Sequence, residues 1–294
     1  MGKPHGFPLR PFPTSARERP MSTIVQPVPR NVGRRIGRTA LDWIPAVAVF
    51  AIGIGAWQGL VAAFNVQEFL LPKPTAIGDA FWTQKSALWS QGIYTFKEAL
   101  GGYALGSGLG ILVALLFAAW RPLAGAFMPY AVAVNAIPII AFAPIMNNWF
   151  GLLNPFSKMA IAAVLCFFPV MINTLRGLTS VHPSSIELMH SYAAGRLSMF
   201  RRVRIPNALP HMFTGLKVAT VLSMIGAIVG EYFGGPIEAL GVKILNDSSY
   251  GNFTDAWAGI VMASLLGIVF YAVVALAERL TTSWHPSARA FHTE

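Results

Sequence analysis

The sequence has few charged residues and only one cysteine. Of its 294 residues, 12% are charged and 54% are hydrophobic, whereas about a quarter of the residues in a typical soluble domain are charged. A folded chain of this size with so little charge needs lipid over much of its surface. Cys166, the one cysteine, lies inside an apolar run. An intrachain disulfide is therefore excluded, and we expect Cys166 to serve packing.

Signatures of catalysis and of nucleotide binding are also absent. The sequence has no G-x-x-x-x-G-K-[ST] run to hold nucleotide phosphates and no HExxH motif. Its six histidines lack the spacing of metal ligands. We therefore expect no catalytic residue, no metal and no cofactor. The formal net charge is +10, but the basic residues lie in a tail and in loops, so nucleic acid is not expected as a partner.

Long apolar runs take the place of these features. Crossing the hydrocarbon core of a bilayer takes about 20 apolar residues. One of these runs, at residues 124–146, is interrupted by Pro138 and Pro144. Residues 65–94 contain an amphipathic stretch that we expect to lie along the outer surface. The pattern predicts an all-α membrane protein with six transmembrane helices, at Trp43–Phe64, Ala99–Ala119, 124–146, Met159–Leu175, Met212–Gly230 and Ala256–Ala277.

Three regions follow from this pattern. Residues 1–40 are basic and rich in proline, and we predict a disordered tail there. Residues 41–280 form the six-helix membrane domain, and residues 281–294 form a second tail. The first tail is predicted to be a solvated segment, with binding to anionic lipid headgroups as the alternative.

The distribution of basic residues predicts the orientation in the membrane. If the first tail is inside, the inner segments hold sixteen Lys and Arg residues and the outer loops and helix ends hold five. Cytoplasmic loops of membrane proteins carry the excess of Lys and Arg. Both termini are therefore predicted to be cytoplasmic.

Two rows of glycines recur at four-residue spacing. This spacing places small residues on one helix face and allows a neighbouring backbone to approach closely. We expect helix packing, within the chain or between two copies, and a flexible gate is the alternative. The rows are Gly102, Gly106 and Gly110 in the second predicted span, and Gly226, Gly230 and Gly234 at the end of the fifth.

The inner loop 176–211 carries the most specific pattern. Pro183 suits the first turn of a helix and Gly195 suits its end. A second short helix is predicted over Leu197–Arg204, and Pro206 is expected to end it. Small residues followed by arginines suit a surface on which a partner docks. A plain basic loop is an equally good interpretation of the residues alone.

The same loop resembles a known family. It is similar to the permease subunits of ATP-binding-cassette (ABC) importers, in the branch of nitrate, taurine, alkanesulfonate and pyrimidine-precursor permeases. The coupling loop of that family starts with Glu-Ala-Ala, has a Gly six residues after the Glu and ends in apolar-x-apolar-Pro. Leu188 and Met189 stand in place of the two alanines here. Glu187 matches the Glu, Ala193 stands at the Gly position, and Gly195 is expected to supply the bend. Val203, Ile205 and Pro206 match the end of the motif. The residues predicted to form the ATPase-coupling loop are Glu187, Tyr192, Ala193, Ala194, Gly195, Arg201 and Pro206.

Weaker matches extend the resemblance from about residue 40 to residue 280. They are Leu71–Ala76, Ala136–Pro138, Ala143–Pro144, Trp149–Gly151 and Ile228–Glu231. The resemblance implies a type I ABC importer fold and a homodimer. It also implies two ATPase subunits that hydrolyse ATP and an extracytoplasmic substrate-binding protein, with the chain in a bacterial inner membrane and lipid around the complex.

The sequence defines the translocation path and the solute less closely than it defines the coupling loop. Prolines in the third span free backbone carbonyls that line a cavity or need other partners. The candidate path residues are Asn135, Pro138, Phe142 and Ser223, and packing is the alternative role for each. Sulfonate, taurine and nitrate are anions, and no mid-membrane Lys or Arg is evident, which favours a neutral heteroaromatic such as a pyrimidine precursor.

Two other classes of function compete with the importer. A stand-alone secondary transporter or channel would need intramembrane ionisable groups, and Glu98 and Glu231 lie near outer helix ends instead. A membrane-bound enzyme or receptor subunit would need polar catalytic groups on one side of the membrane, and the sequence offers none.

Overall fold

We analysed a computed structural model of the chain, which describes residues 32–120, 126, 133 and 138–282. Backbone packing divides the chain at Gly53, and the side-chain contacts reported below lie within residues 54–282. The described backbone is helical and contains no strand. Its helices are α1 (Val32–Ala63), α2 (Pro74–Thr83), α3 (Lys85–Ala119), α4 (Ala143–Phe150), α5 (Pro155–Thr179), α6 (Pro183–Ser191), α7 (Arg196–Met199), α8 (Ile205–Tyr232), α9 (Leu240–Ser249) and α10 (Phe253–Thr281).

Five helical segments of the described residues are long and apolar enough to cross a membrane. They are Ile44–Ala63, Lys85–Ala119, Pro155–Thr179, Arg196–Tyr232 and Phe253–Thr281. These five coincide with the first, second, fourth, fifth and sixth predicted spans. The predicted all-α membrane fold is confirmed by this arrangement and by the similarity to a solved structure reported below.

The third predicted span, 124–146, falls mostly on residues 121–137, outside the described part except for Ala126 and Ala133. For the described residues 138–146 the prediction was wrong, because they do not form one continuous helix. A short 3₁₀ turn, Ile139–Phe142, separates Pro138 from α4. Pro144 fits the first turn of α4, where a missing N–H costs nothing.

Two other regions differ from the prediction. α1 begins at Val32, ahead of the predicted Trp43, and residues 32–40 therefore belong to a helix. The amphipathic stretch within 65–94 is divided: α2 is a short separate helix, and the rest is the first part of α3. A pattern of apolar residues does not distinguish a surface helix from the extension of a membrane span.

α5 lies between α3 and α8 and packs tightly against both. A Cβ on Gly106 of α3 would lie 2.2 Å from the carbonyl oxygen of Ala163 on α5. A Cβ on Gly226 of α8 would lie 2.7 Å from the Cα of Ala162 on α5. The glycine rows therefore serve helix packing within the chain. Gly234 lies beyond the end of α8, in a turn with a φ of 143°.

The two ends of the bundle are named here by their short helices. At the α6 end, α3 and α5 finish and α8 begins. At the α9 end, α5 begins and α8 finishes. α10 crosses between the two ends and pairs with α8, since Lys217 Nζ lies 2.6 Å from Glu278 Oε2.

Candidate functional site at the α6 end

α6 is a solvent-facing helix with defined ends. His182 is its N-cap residue, and its Nδ1 accepts a 3.3 Å hydrogen bond from the backbone N–H of Ser184. Pro183 occupies the first turn, where a proline suits a helix. No residue of α6 is buried, so none of its side chains is committed to the core of this chain.

Apolar side chains make up part of this exposed surface. Leu188, Tyr192 and Leu197 are 57%, 76% and 71% exposed. Glu187, Ala193, Gly195 and Arg201 are exposed or nearly so, whereas Ala194 and Pro206 are half-buried. The structure thus brings the predicted loop residues together at one end of the bundle. Large exposed apolar groups beside charged residues are typical of a protein-binding surface.

The chain leaves α6 through a Schellman turn. The N–H of Ala194 bonds to Met189 O at 3.0 Å, and the N–H of Ala193 bonds to His190 O at 2.9 Å. Ala193 has a φ of 50°, in the left-handed region. Gly195 has a φ of −68°, which any residue adopts. The expectation that Gly195 supplies the bend was therefore wrong. Ala193 forms the bend, and it stands at the position of the glycine in the coupling loop of the family that this chain resembles.

Pro206 does not end a helix, which corrects a second expectation. α7 passes through a π-helical turn, Phe200–Arg204, directly into α8, and Pro206 lies in the first turn of α8. Proline has no N–H to donate, and a π-turn marks a place where the helical hydrogen-bond ladder changes register. The segment from Arg196 to Tyr232 is therefore one continuous helical rod with an altered turn near its start.

Two side chains anchor this altered turn to the bundle, and the sequence pattern gave no signal for either. Arg204 Nη1 donates to Ala118 O of α3 at 3.2 Å. Asn207 Nδ2 donates to Gly177 O of α5 at 2.9 Å. Both acceptors lie at helix ends, where carbonyls lack helical partners.

The candidate path residues occupy different environments. Pro138 and Phe142 are exposed in the break before α4, and Asn135 lies outside the described residues. Ser223 is fully buried and its hydroxyl donates to Thr220 O of the same helix at 2.9 Å. The three described residues, Pro138, Phe142 and Ser223, are thus not brought together into one surface.

A groove with a volume of about 510 Å³ runs between α8 and α10. Its lining contains no charged side chain. It includes Val221, Ile225, Ile228, Tyr232, Ser264 and Tyr271. The groove lies on the face of α8 that turns away from α5.

A buried polar cluster occupies the α9 end. Thr95 Oγ1 donates to Glu231 Oε1 at 2.7 Å and accepts from the N–H of Leu240 at 2.9 Å. The N–H of Gly241 donates to Glu231 Oε2 at 2.7 Å. The two side chains therefore satisfy the first N–H groups of α9, as an N-cap does.

Glu98 and Lys158 complete this cluster. Glu98, Lys158 and Glu231 are each at most 1% exposed, and the Glu98 and Glu231 carboxyl groups are neighbours. Lys158 Nζ donates to Leu152 O. Sequence analysis placed both glutamates near helix ends but gave no sign that they meet. No set of side chains in the described ranges could hold a metal ion.

The fold and this site define an all-α, multi-pass membrane protein that exposes two short helices and large apolar side chains at one end of the bundle. The chain belongs to the family described as "Binding-protein-dependent transport system inner membrane component", which it matches over residues 106–283. It is a permease component of an ABC import system, as the resemblance implied. Members of this family are not enzymes themselves, and membership implies ATPase and substrate-binding protein partners in general.

Curated relatives agree with this assignment. The chain is 32% identical over 235 residues to the riboflavin transport system permease protein RibX of Chloroflexus aurantiacus, covering 79% of this chain and 86% of the relative. It is 37% identical over 219 residues to the formylaminopyrimidine transport permease protein ThiX of Halalkalibacterium halodurans, covering 74% and 87%.

A solved structure agrees in fold. The crystal structure of an amino acid ABC transporter with histidines contains a chain that matches with a TM-score of 0.53 and 18% identity. The match covers 67% of this chain and 95% of that one.

Proposed function

We propose that two copies of this chain form the membrane path of the importer and that two ATPase subunits grip the two copies of α6 from the cytoplasm. Both termini then lie in the cytoplasm, as does the α6 end of the bundle, and the α9 end faces the substrate-binding protein. The excess of Lys and Arg in the segments at the α6 end supports this orientation.

The observation that carries this proposal is the exposure of α6 and its flanking turn. Leu188, Tyr192 and Leu197 present apolar surface next to Glu187 and Arg201. Interface cores are apolar and enriched in aromatic side chains, with charged groups at the rim. A groove on the ATPase subunit that accepts these apolar groups would bury them, and the charged groups would fix the orientation.

ATP binding then drives the permease through rigid helices. Closure of the ATPase dimer moves α6, and the continuous segment Arg196–Tyr232 carries the movement into the membrane domain. Interfaces as closely packed as α3, α5 and α8 deform little and shift as units. The two copies therefore rock between inward-open and outward-open states.

We propose a neutral, flat heteroaromatic solute. The relatives with the riboflavin and formylaminopyrimidine names support this class. Other relatives are named for aliphatic sulfonates and nitrate, which are anions. Two lysines within the described spans, Lys217 and Lys158, already have acidic neighbours, Lys217 in an ion pair with Glu278 and Lys158 beside Glu98 and Glu231, and this argues against an anion.

For the path, Pro138 and Phe142 are proposed to line it where the backbone breaks before α4. Asn135 belongs to the same proposal, and Ser223 reaches the path only if α8 turns during transport. Anionic lipid headgroups are proposed to surround the basic segments at the α6 end.

The test is purification of the tagged chain from its native membranes, followed by measurement of the bound ATPase. We expect an ATPase subunit in equal amount with the wild-type chain. Glu187→Arg reverses a charge on α6 and should reduce the bound ATPase about tenfold, as expected for a charge clash at a docking surface. Glu68→Arg makes the same change on an exposed residue away from α6 and should leave the ratio unchanged. Equal ATPase binding in both variants, or none in the wild type, would contradict the proposal.

A further inference from the structure

Arg204 joins the segment that follows α6 to the end of α3. Its Nη1 donates to Ala118 O at 3.2 Å, although the two residues are 86 positions apart. Ala118 lies in the last turn of α3, where carbonyl groups have no helical donor and the helix dipole favours a cation. Arg204 is half-buried, so the bond lies where water competes less for its two partners.

Asn207 makes the corresponding contact with α5. Its Nδ2 donates to Gly177 O at 2.9 Å and lies 3.3 Å from Ser180 Oγ. The backbones also touch here, since a Cβ on Gly177 would lie 2.8 Å from the Cα of Ala208. One turn at the start of α8 therefore holds the ends of both α3 and α5.

The turn that carries Arg204 departs from the regular α-helical ladder of the rod, as does Pro210 inside α8. Residues Phe200–Arg204 form the π-turn and Pro206 offers no N–H to the ladder. Phe200 packs on the apolar cluster that contains Ala118 and Leu175. Because the α-helical ladder is interrupted at this joint, side-chain bonds across it carry movement of α6 and α7 to the neighbouring helices.

We propose that Arg204 is a positioning residue that passes movement of α6 to α3, and that Asn207 does the same for α5. This inference rests on the proposed coupling of α6 to an ATPase. Arg204 touches neither the solute nor ATP, and its guanidinium acts by fixing the end of α3 to the joint.

The test follows the ATP-driven change of state in the purified complex of this chain with its ATPase. A reporter cysteine replaces Ser107, a buried residue of α3, in a Cys166→Ala background. The ratio of maleimide labelling rates with and without ATP reports the change, and no solute is needed. Arg204→Met keeps the long side chain but removes the donor. It should reduce the ATP-dependent ratio about tenfold, the effect of one lost charge-assisted hydrogen bond on an equilibrium.

Two further variants separate transmission from plain stability. Arg204→Lys restores a charged donor on a long stem and should recover most of the ratio. Arg279→Met removes an exposed arginine in the last turn of α10 and should leave the ratio unchanged. The amount of bound ATPase should equal that of the wild type in all three variants, a result that a merely structural role for Arg204 would not produce.

The inference is overturned if Arg204→Met behaves like Arg279→Met, or if bound ATPase falls together with the ratio. If Arg204→Met does not fold, Asn207→Ala is measured in the same way, and an unchanged ratio overturns the inference. A wild-type complex that lacks any response to ATP would instead refute the proposed coupling function itself.

Discussion

Gly106 of α3 lies against Ala163 of α5 with no room for a side chain. A Cβ on Gly106 would lie 2.2 Å from Ala163 O and 2.8 Å from Ala163 Cα. Both are backbone atoms, which cannot turn aside as the end of a flexible side chain would. The α3–α5 contact is therefore fixed by backbone approach, the kind of packing that small residues permit in membrane proteins.

Gly106→Ala should accordingly separate α3 from α5. We expect a loss of about 1–3 kcal/mol in stability, the usual cost of overpacking a core. Gly108→Ala is the matched control, because nothing lies within 4 Å of a Cβ at Gly108. That change should be neutral or stabilise the helix by up to about 1 kcal/mol. Thermal unfolding in detergent measures both, and equal melting temperatures would refute the packing account.

Ala193→Gly should stabilise the turn that ends α6. A left-handed alanine costs about 1–2 kcal/mol, and glycine adds about 0.5–1 kcal/mol of chain entropy to the unfolded state. The net gain of roughly 0.5–1 kcal/mol should slow hydrogen exchange over residues 183–194 about two- to fivefold.

Ala194→Gly is the matched control for this turn. Ala194 is not among the described residues with a positive φ, so glycine only adds chain entropy there and exchange should become faster. Faster exchange in Ala193→Gly would show that the left-handed turn is not the state in solution.

Thr95→Val should loosen the α9 end of the bundle. Valine keeps the shape of threonine but cannot form its hydrogen bonds. Glu231 Oε1 then loses a donor, and the N–H of Leu240 loses its acceptor. A buried polar group left unsatisfied costs about 1–3 kcal/mol, and we expect a destabilisation of that size in thermal unfolding.

Thr220→Val provides the comparison. Thr220 is equally buried, but the partner of its hydroxyl among the described residues is Lys217 O of its own helix, at 2.7 Å. Its loss should cost under about 1 kcal/mol. A larger effect at Thr220 than at Thr95 would show that the cluster around Glu231 does not hold α9.

Much of this architecture could be predicted from residues near one another in the sequence. Apolar run length located five spans, and four-residue glycine spacing predicted close helix packing, which the α3–α5 contact shows. The start of α6 followed from Pro183. The predictions that failed concern backbone conformation, which is determined by contacts between residues far apart in the sequence. Pro206 is typical of a helix end, but the π-turn before it absorbs the missing N–H, and no local pattern reveals a π-turn.

The long-range polar contacts could not be predicted. Arg204 and Ala118 are 86 positions apart, and Thr95 and Glu231 are 136 positions apart. Arg204 looked like one of several loop arginines, and only the folded chain separates it from Arg201. α9 was missed as well, because its short mixed sequence carries no span signal and its first N–H groups are satisfied by side chains of α3 and α8.

The central claim of the coupling account is that α6 lies on the cytoplasmic side of the membrane. A cysteine in place of His190, on the solvent-facing α6, in a Cys166→Ala background, can be probed with a membrane-impermeant maleimide. A cysteine in place of Glu68, which is exposed before α2, is the reference for the opposite face. The account predicts that the His190→Cys variant is labelled in inside-out vesicles and protected in intact spheroplasts, with the reverse for Glu68→Cys. Labelling of His190→Cys in intact spheroplasts would put α6 out of reach of any cytoplasmic ATPase and contradict the account.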